Sequence, residues 1–202
     1  MGRGPTTIAA VLTVGALLLL AGCGEEQAVR DTVQIPETDE AWEADEAPEI
    51  EEAEPGKEAP DFTVPLVDGD EVSLSDYEGK ILVLDFWATW CTACVAEFPE
   101  YQELYERWDQ DEVEYLGLSA DGDMSTVEAF LQGQPDLTLP MALADDELLE
   151  EYLPTRTLPS SRVIDGDGIV RYEFKGPATD EVAEAVRRLL EEDAADGPGG
   201  ES

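Results

Sequence analysis

Ile81-Leu82-Val83-Leu84-Asp85-Phe86-Trp87-Ala88-Thr89-Trp90-Cys91-Thr92-Ala93-Cys94 is the stretch from which the rest of this chain is read. From Ile81 to Trp87 every residue but Asp85 is apolar, as expected of a central strand covered on both faces. The run passes through Ala88-Thr89-Trp90 into a helical pattern, about Cys91 to Trp108, where Val95, Phe98, Tyr101, Leu104, Tyr105 and Trp108 recur at three and four residues. Pro99 is expected to kink that helix. A cysteine pair thus opens a helix directly after a buried strand. Unpaired N–H groups and the positive end of the peptide dipoles favour a thiolate there, so Cys91 is expected to be the more acidic sulfur.

The chain has three cysteines and no histidine. Cys23 ends an N-terminal apolar segment, which leaves Cys91 and Cys94 to each other. A structural zinc site needs about four ligands, usually Cys or His, so no metal site is expected, and nothing in the sequence calls for a cofactor. A purely structural bridge between residues three apart would close so short a loop that its chain-entropy stabilisation is small. Redox chemistry is the expected use of the pair.

Outward from this centre, Arg3 precedes an apolar stretch of 13 residues, Ile8 to Leu20, followed by Leu20-Ala21-Gly22-Cys23. It is shorter than the ~20 residues that span a bilayer as a helix. Residues 1–22 read as a secretory signal, and Leu-Ala-Gly-Cys resembles a prokaryotic lipobox, which implies lipidation of Cys23. The alternative is an uncleaved anchor. Either places Cys91 and Cys94 outside the cytoplasm, where disulfides persist unless a dedicated electron supply reduces them. Residues 23–58, with fourteen Asp/Glu against two Lys/Arg after Gly24, read as an acidic disordered tether. Residues 193–202 read as a disordered tail.

Residues 59–192 suffice for one domain. It holds 32 Asp/Glu against 8 Lys/Arg within a chain of formal net charge −38, so nucleic acid and anionic membrane surfaces are repelled. Lysine is scarce (Lys57, Lys80, Lys175), and such acidic, lysine-poor surfaces resemble those of proteins from high-salt habitats.

Phe62-Thr63-Val64 and Val72-Ser73-Leu74 flank Asp68-Gly69-Asp70 as a hairpin. After the central strand and cysteine helix come a strand at Val113–Leu118, a helix at Ser125–Gln132, a strand at Leu137–Ala142 and a helix at Asp146–Leu153. Strands Ser161–Ile164 and Ile169–Phe174 flank Asp165-Gly166-Asp167-Gly168, a hairpin signal, and an amphipathic helix spans Asp180–Leu190. This predicts an α/β fold with a central mixed β-sheet, helices on both faces and an N-terminal β-hairpin.

Asp85 to Cys94, with Glu97-Phe98-Pro99 and later Leu158-Pro159 through Val163-Ile164-Asp165, resembles the thioredoxin-like fold. More narrowly, it resembles the membrane-tethered extracytoplasmic thiol-disulfide oxidoreductases of the TlpA/ResA type. The resemblance covers about Ala59 to Leu190. It implies a disulfide reductase cycling through a Cys91/Cys94 dithiol, anchored by lipid on the outer side of the cell membrane and recharged by a membrane electron donor. Its partners would be disulfide-containing extracytoplasmic proteins, apocytochrome c among them. By position Glu97 matches the family's active-site glutamate and Asp85 the buried aspartate of thioredoxins, where an ordinary solvated carboxylate or a strand-end residue is the plainer expectation. Pro159 matches the cis-proline that lets residue 158 offer its backbone to a bound peptide. Trp87 is expected in the core, and Trp90 at the rim, shielding the sulfurs and contacting substrate. Three positions depart from the family: Ala93 where proline often precedes the second cysteine, Thr157 for a common glycine, and Arg162 for an apolar strand residue, where it is expected to pair with a surface acid or contact a partner.

The same pair at a higher potential would make a disulfide oxidase or isomerase, and a redox-inactive binding module is the rival from another class. A peroxidase would need a cysteine in its own activating pocket, and a copper chaperone of the SCO type would be expected to use histidine.

Overall fold

A computed structural model describes residues 52–196. Residues 1–51, with the expected signal, Cys23 and most of the expected tether, and residues 197–202 lie outside the described residues.

The central strand forms as its apolar run requires. β3 (Ile81–Trp87) is buried along its whole length. It pairs in parallel with β4 (Val113–Ser119) and antiparallel with β6 (Ser160–Ile164). Outside these lie β5 (Met141–Leu143), parallel to β4, and β7 (Val170–Lys175), antiparallel to β6. The sheet order is β5-β4-β3-β6-β7, with a separate antiparallel hairpin of β1 (Thr63–Pro65) and β2 (Glu71–Ser73) before it. The helices are α1 (Thr92–Arg107), α2 (Met124–Leu131), α3 (Asp146–Tyr152) and α4 (Thr179–Asp196). This mixed sheet with its N-terminal hairpin has the thioredoxin-like architecture.

Because successive strand residues face opposite sides, the sheet serves two cores. Ile81, Val83 and Trp87 join Tyr115, Val163, Phe98 and Tyr101 of α1, Val127 of α2 and Val182 and Leu189 of α4. Leu82, Leu84 and Phe86 join Leu116, Leu118 and Ile164 with Leu148 and Leu149 of α3 and Phe62 and Val64 of the hairpin region. Helices therefore cover both faces. Asp85, in step with Val83 and Trp87, is directed to the α1 side, and this parity places an acid beside the cysteine helix. At Gly117, opposite Asp85, a Cβ would overlap the Met141 Sδ and sit 3.3 Å from the Trp87 Nε1, so no side chain fits there without movement.

Several boundaries differ from expectation. β5 begins at Met141, not Leu137, because Pro140 has no N–H to give a ladder, and Thr138 is instead held by the Gln102 side chain, which accepts its N–H at 2.8 Å. α1 continues unbroken through Pro99, which lies on its exposed side. α4 extends past Leu190 to Asp196, into the expected tail. Residues 52–58, assigned to the tether by composition, pair with β7. Glu52 bridges Tyr172, Glu58 bridges Ile169, Ala53 donates to the Arg171 carbonyl at 2.8 Å and Val170 donates to the Lys57 carbonyl at 2.8 Å. At the opposite edge, Leu66 bridges Ala142 and Val67 donates to the Met141 carbonyl at 2.9 Å.

Candidate active site

β3 ends at Trp87 and delivers the chain to the start of α1 through Ala88-Thr89-Trp90. Cys91 is the N-cap of α1, and its Sγ accepts the Cys94 N–H at 3.3 Å. The two cysteines form a disulfide with an S–S distance of 2.01 Å and Cα atoms 5.3 Å apart. Cys91 is 8% exposed and Cys94 1%, so Cys91 is the more accessible residue of the pair. Trp87 is fully buried, whereas Trp90 is 68% exposed, the one large apolar side chain so exposed among the described residues. Trp90 is thus a rim residue presented to solvent.

Asp85 is 2% exposed, which rules out the strand-end reading. Tyr115 of β4 donates to its Oδ2 and Ser161 of β6 to its Oδ1, each at 3.1 Å. Ser161 Oγ is in turn 3.1 Å from the Tyr101 hydroxyl of α1. Burial, with the negative charge of Glu97 adding to it, pushes the Asp85 carboxyl up to about 7 against the pull of the two hydroxyl donors.

Glu97 is not a solvated helix carboxylate. It is 6% exposed, and its Oε1 accepts the Ala178 N–H at 2.8 Å and the Thr179 hydroxyl at 3.1 Å, binding the start of α4 to α1. Burial raises its pKa, the two hydrogen bonds oppose this, and Glu100 and Glu181 add to the rise. Two acids with raised pKa values, Glu97 on the helix that carries the cysteines and Asp85 on the strand face beneath it, form an arrangement suited to taking up and returning protons.

The Leu158–Pro159 peptide bond is cis, as the resemblance implied. Pro159 is buried and Leu158 half-buried against the core cluster that contains both cysteines. Among the described residues, the Leu158 N–H and carbonyl make no backbone hydrogen bond. Arg162 is not a surface contact. It lies 4% exposed on the other face of β6, giving hydrogen bonds to Ser160 Oγ and to the carbonyls of Ser161 and Tyr152, with Glu173 at 3.5 Å.

Sequence reasoning missed Asp121. Its buried carboxylate forks onto Thr89, accepting the backbone N–H at 2.9 Å and the hydroxyl at 2.8 Å, and also accepts the Ser119 hydroxyl at 2.7 Å. With the Ala120 N–H donating to the Trp87 carbonyl at 2.8 Å, it fixes the loop that carries Trp90 and Cys91. In sequence Asp121-Gly122 reads only as a turn; Ser119, two residues earlier at the end of a buried strand, was the available signal. Tyr101, Tyr115 and Ser161 were visible as core or strand positions, but not as Asp85 partners, because periodicity does not reveal which strand pairs with which.

Among the described residues, no group of three or more His, Cys, Asp or Glu is placed to hold a metal ion, and no helix is long and apolar enough to cross a membrane.

A family model described as the AhpC/TSA family matches residues 55–173. The thiol-disulfide oxidoreductase ResA of Bacillus thuringiensis subsp. konkukian (strain 97-27) is 40% identical over 138 residues, which cover 67% of this chain and 78% of the relative. The exposed lipoprotein thioredoxin Etrx1 of Streptococcus pneumoniae superposes with a TM-score of 0.58 at 29% identity, over 64% of this chain and all of that one. A thiol:disulfide interchange protein of the thioredoxin family from Chlorobium tepidum superposes with a TM-score of 0.60 at 26% identity, over 68% of this chain and 98% of that one.

Proposed function

The chain belongs to the AhpC/TSA family, here in its thioredoxin-like form, and on that premise we propose that this thiol-disulfide oxidoreductase is a lipid-anchored reductase of extracytoplasmic protein disulfides. The observation that carries the reading is the Cys91–Cys94 disulfide at a helix N-terminus, with Cys91 the more accessible of the two.

In the reduced protein the Cys91 thiolate attacks a client disulfide. The helix N-terminus and the Cys94 N–H aimed at its Sγ favour that thiolate. A mixed disulfide forms and one client sulfur leaves. Cys94 then loses its proton to a nearby carboxylate, Asp85 or Glu97, and attacks the Cys91 sulfur. The Cys91–Cys94 bond forms, the bond to the client breaks, and two electrons have passed to the client. Trp90 and the open backbone of Leu158, beside Pro159, form the surface on which an extended client segment lies. Cys23 would hold the protein at the membrane, residues 24–51 would give it reach, and a membrane protein would return the electrons. The name of the pneumococcal relative, a lipoprotein, supports the anchor. Clients would be secreted proteins with oxidised cysteines, the haem-attachment cysteines of apocytochrome c among them.

The deciding measurement is the midpoint potential of the pair by equilibration with defined thiol buffers. A value at or below about −250 mV is expected of a reductant, and one near −120 mV would make the protein an oxidase. A Cys94→Ser variant should accumulate covalent partners through Cys91, which a redox-inactive binding module would not do.

A further inference from the structure

Asp85 is enclosed from three elements, and among the described residues no cation acts on it. β4 gives Tyr115, β6 gives Ser161 and α1 gives Glu97, with Tyr101 of α1 behind Ser161, while from α4 the Glu181 carboxylate acts on Glu97 and Tyr101. The charged groups facing Asp85 are therefore all acids. What opposes them is a set of hydroxyls.

The bonding of that set is directional. Ser161 has one hydroxyl proton. When it is given to Asp85 Oδ1, the Ser161 oxygen is free to accept from Tyr101, and Tyr115 donates to Oδ2. All three protons then have acceptors, and the chain ends on a carboxylate. With a proton added to the carboxyl, three links would have to carry four protons, and one hydroxyl proton would be left without an acceptor in the set. The arrangement is matched to the charged form, which burial and Glu97 disfavour.

We propose that Tyr115, Ser161 and, behind Ser161, Tyr101 are positioning residues for the thiol-disulfide reaction, holding the Asp85 carboxyl in place and keeping it able to exchange a proton with Cys94. The proposal rests on the proton role given to Asp85 above. In the step concerned, the Cys94 S–H proton passes to the Asp85 carboxylate, the Cys94 sulfur bonds to Cys91, and the client sulfur leaves as a thiolate that takes up a proton. Removing a hydroxyl removes stabilisation of the carboxylate alone, so the acidity of Asp85 must fall and its titration move to higher pH.

The test uses the reduced full chain and 5,5′-dithiobis(2-nitrobenzoate). Cys91 forms a mixed disulfide with release of one thionitrobenzoate, and Cys94 then expels a second, so the slower phase reports the Cys94 step across pH. Tyr115→Phe and Ser161→Ala are each expected to move the inflection of that phase upward by about one pH unit, the worth of a hydrogen bond to a buried charge. Tyr101→Phe should move it the same way by less. Folded variants with the wild-type inflection would overturn the proposal. Asp85→Asn separates this from failure of the underlying reading: an inflection that survives in Asp85→Asn does not belong to Asp85. A 13C NMR titration of the Asp85 carboxyl in oxidised Ser161→Ala gives a readout independent of rate and of the Tyr115 variant's folding. An unmoved carboxyl titration there also overturns the proposal.

Discussion

Replacing Asp85 by asparagine should stabilise the protein at alkaline pH and not at acid pH, and the size of the difference follows from its burial. The carboxyl titrates at about 7 in the folded protein against an ordinary value of 3.8. Between these values the folded protein holds a proton that the unfolded chain has lost. Stability from this group is therefore complete below about 3.8, is lost as the pH rises to about 7, and changes little above. A shift of about three units corresponds to about 4 kcal/mol. The asparagine amide would keep a carbonyl oxygen for one hydroxyl and carry no charge, so the variant lacks this loss. Other groups titrate in both proteins and cancel in the comparison. Glu97 is the exception, and relief of its repulsion acts in the same direction. Urea unfolding of the oxidised proteins at fixed salt, extrapolated linearly, should give a stability gap that widens by about 4 kcal/mol in favour of Asp85→Asn between pH 4 and pH 8. With a slope of about 2 kcal/mol/M, the urea midpoint of the variant would gain about 2 M on the wild type over that range. A gap constant across pH would show that Asp85 does not retain its proton in the fold, and would refute the reasoning.

Asp121→Ala should cost about 1–3 kcal/mol in urea unfolding, because the Thr89 and Ser119 donors are left without their acceptor; Asp121→Asn, which keeps one acceptor oxygen, should cost less. Gly117→Ala should destabilise by about 1–3 kcal/mol through overlap with Met141. Combining it with Met141→Ala should cost less than the sum of the two single changes, a coupling that calorimetry of the four proteins would measure.

The strand, the cysteine pair and the helix behind it were legible because each is written in local pattern: an unbroken apolar run, then a change of period at Cys91. The positions of Glu97 and Asp85 were legible through the resemblance, but their surroundings were not. That Glu97 ties down the start of α4 depends on a contact with residues more than eighty positions away. That Asp85 meets Ser161 depends on β6 pairing antiparallel with β3, a choice made by the whole sheet. The error at residues 52–58 has a different origin. Acidic composition argued for disorder because it offers little to bury, yet pairing with β7 is made by the main chain and leaves the acids in solvent. The burial of Arg162 is not legible in the sequence, because a buried guanidinium is tolerable only with specific acceptors, and the Tyr152 carbonyl and Glu173 come from α3 and β7.

The two pairings made by the segment before β3, at Tyr172 and Ile169 on one margin of the sheet and at Ala142 on the other, bear on how the molecules behave in bulk. In dilute buffer a formal net charge of −38 keeps copies apart. In molar salt that repulsion reaches only about 3 Å, and an uncovered outer strand becomes a template for fibre-like association. Here part of each template is already taken up by the chain's own backbone, at Met141 and Ala142 on one margin and from Ile169 to Tyr172 on the other. Those hydrogen bonds lie within one molecule and, unlike the repulsion between surface acids, are not removed by screening.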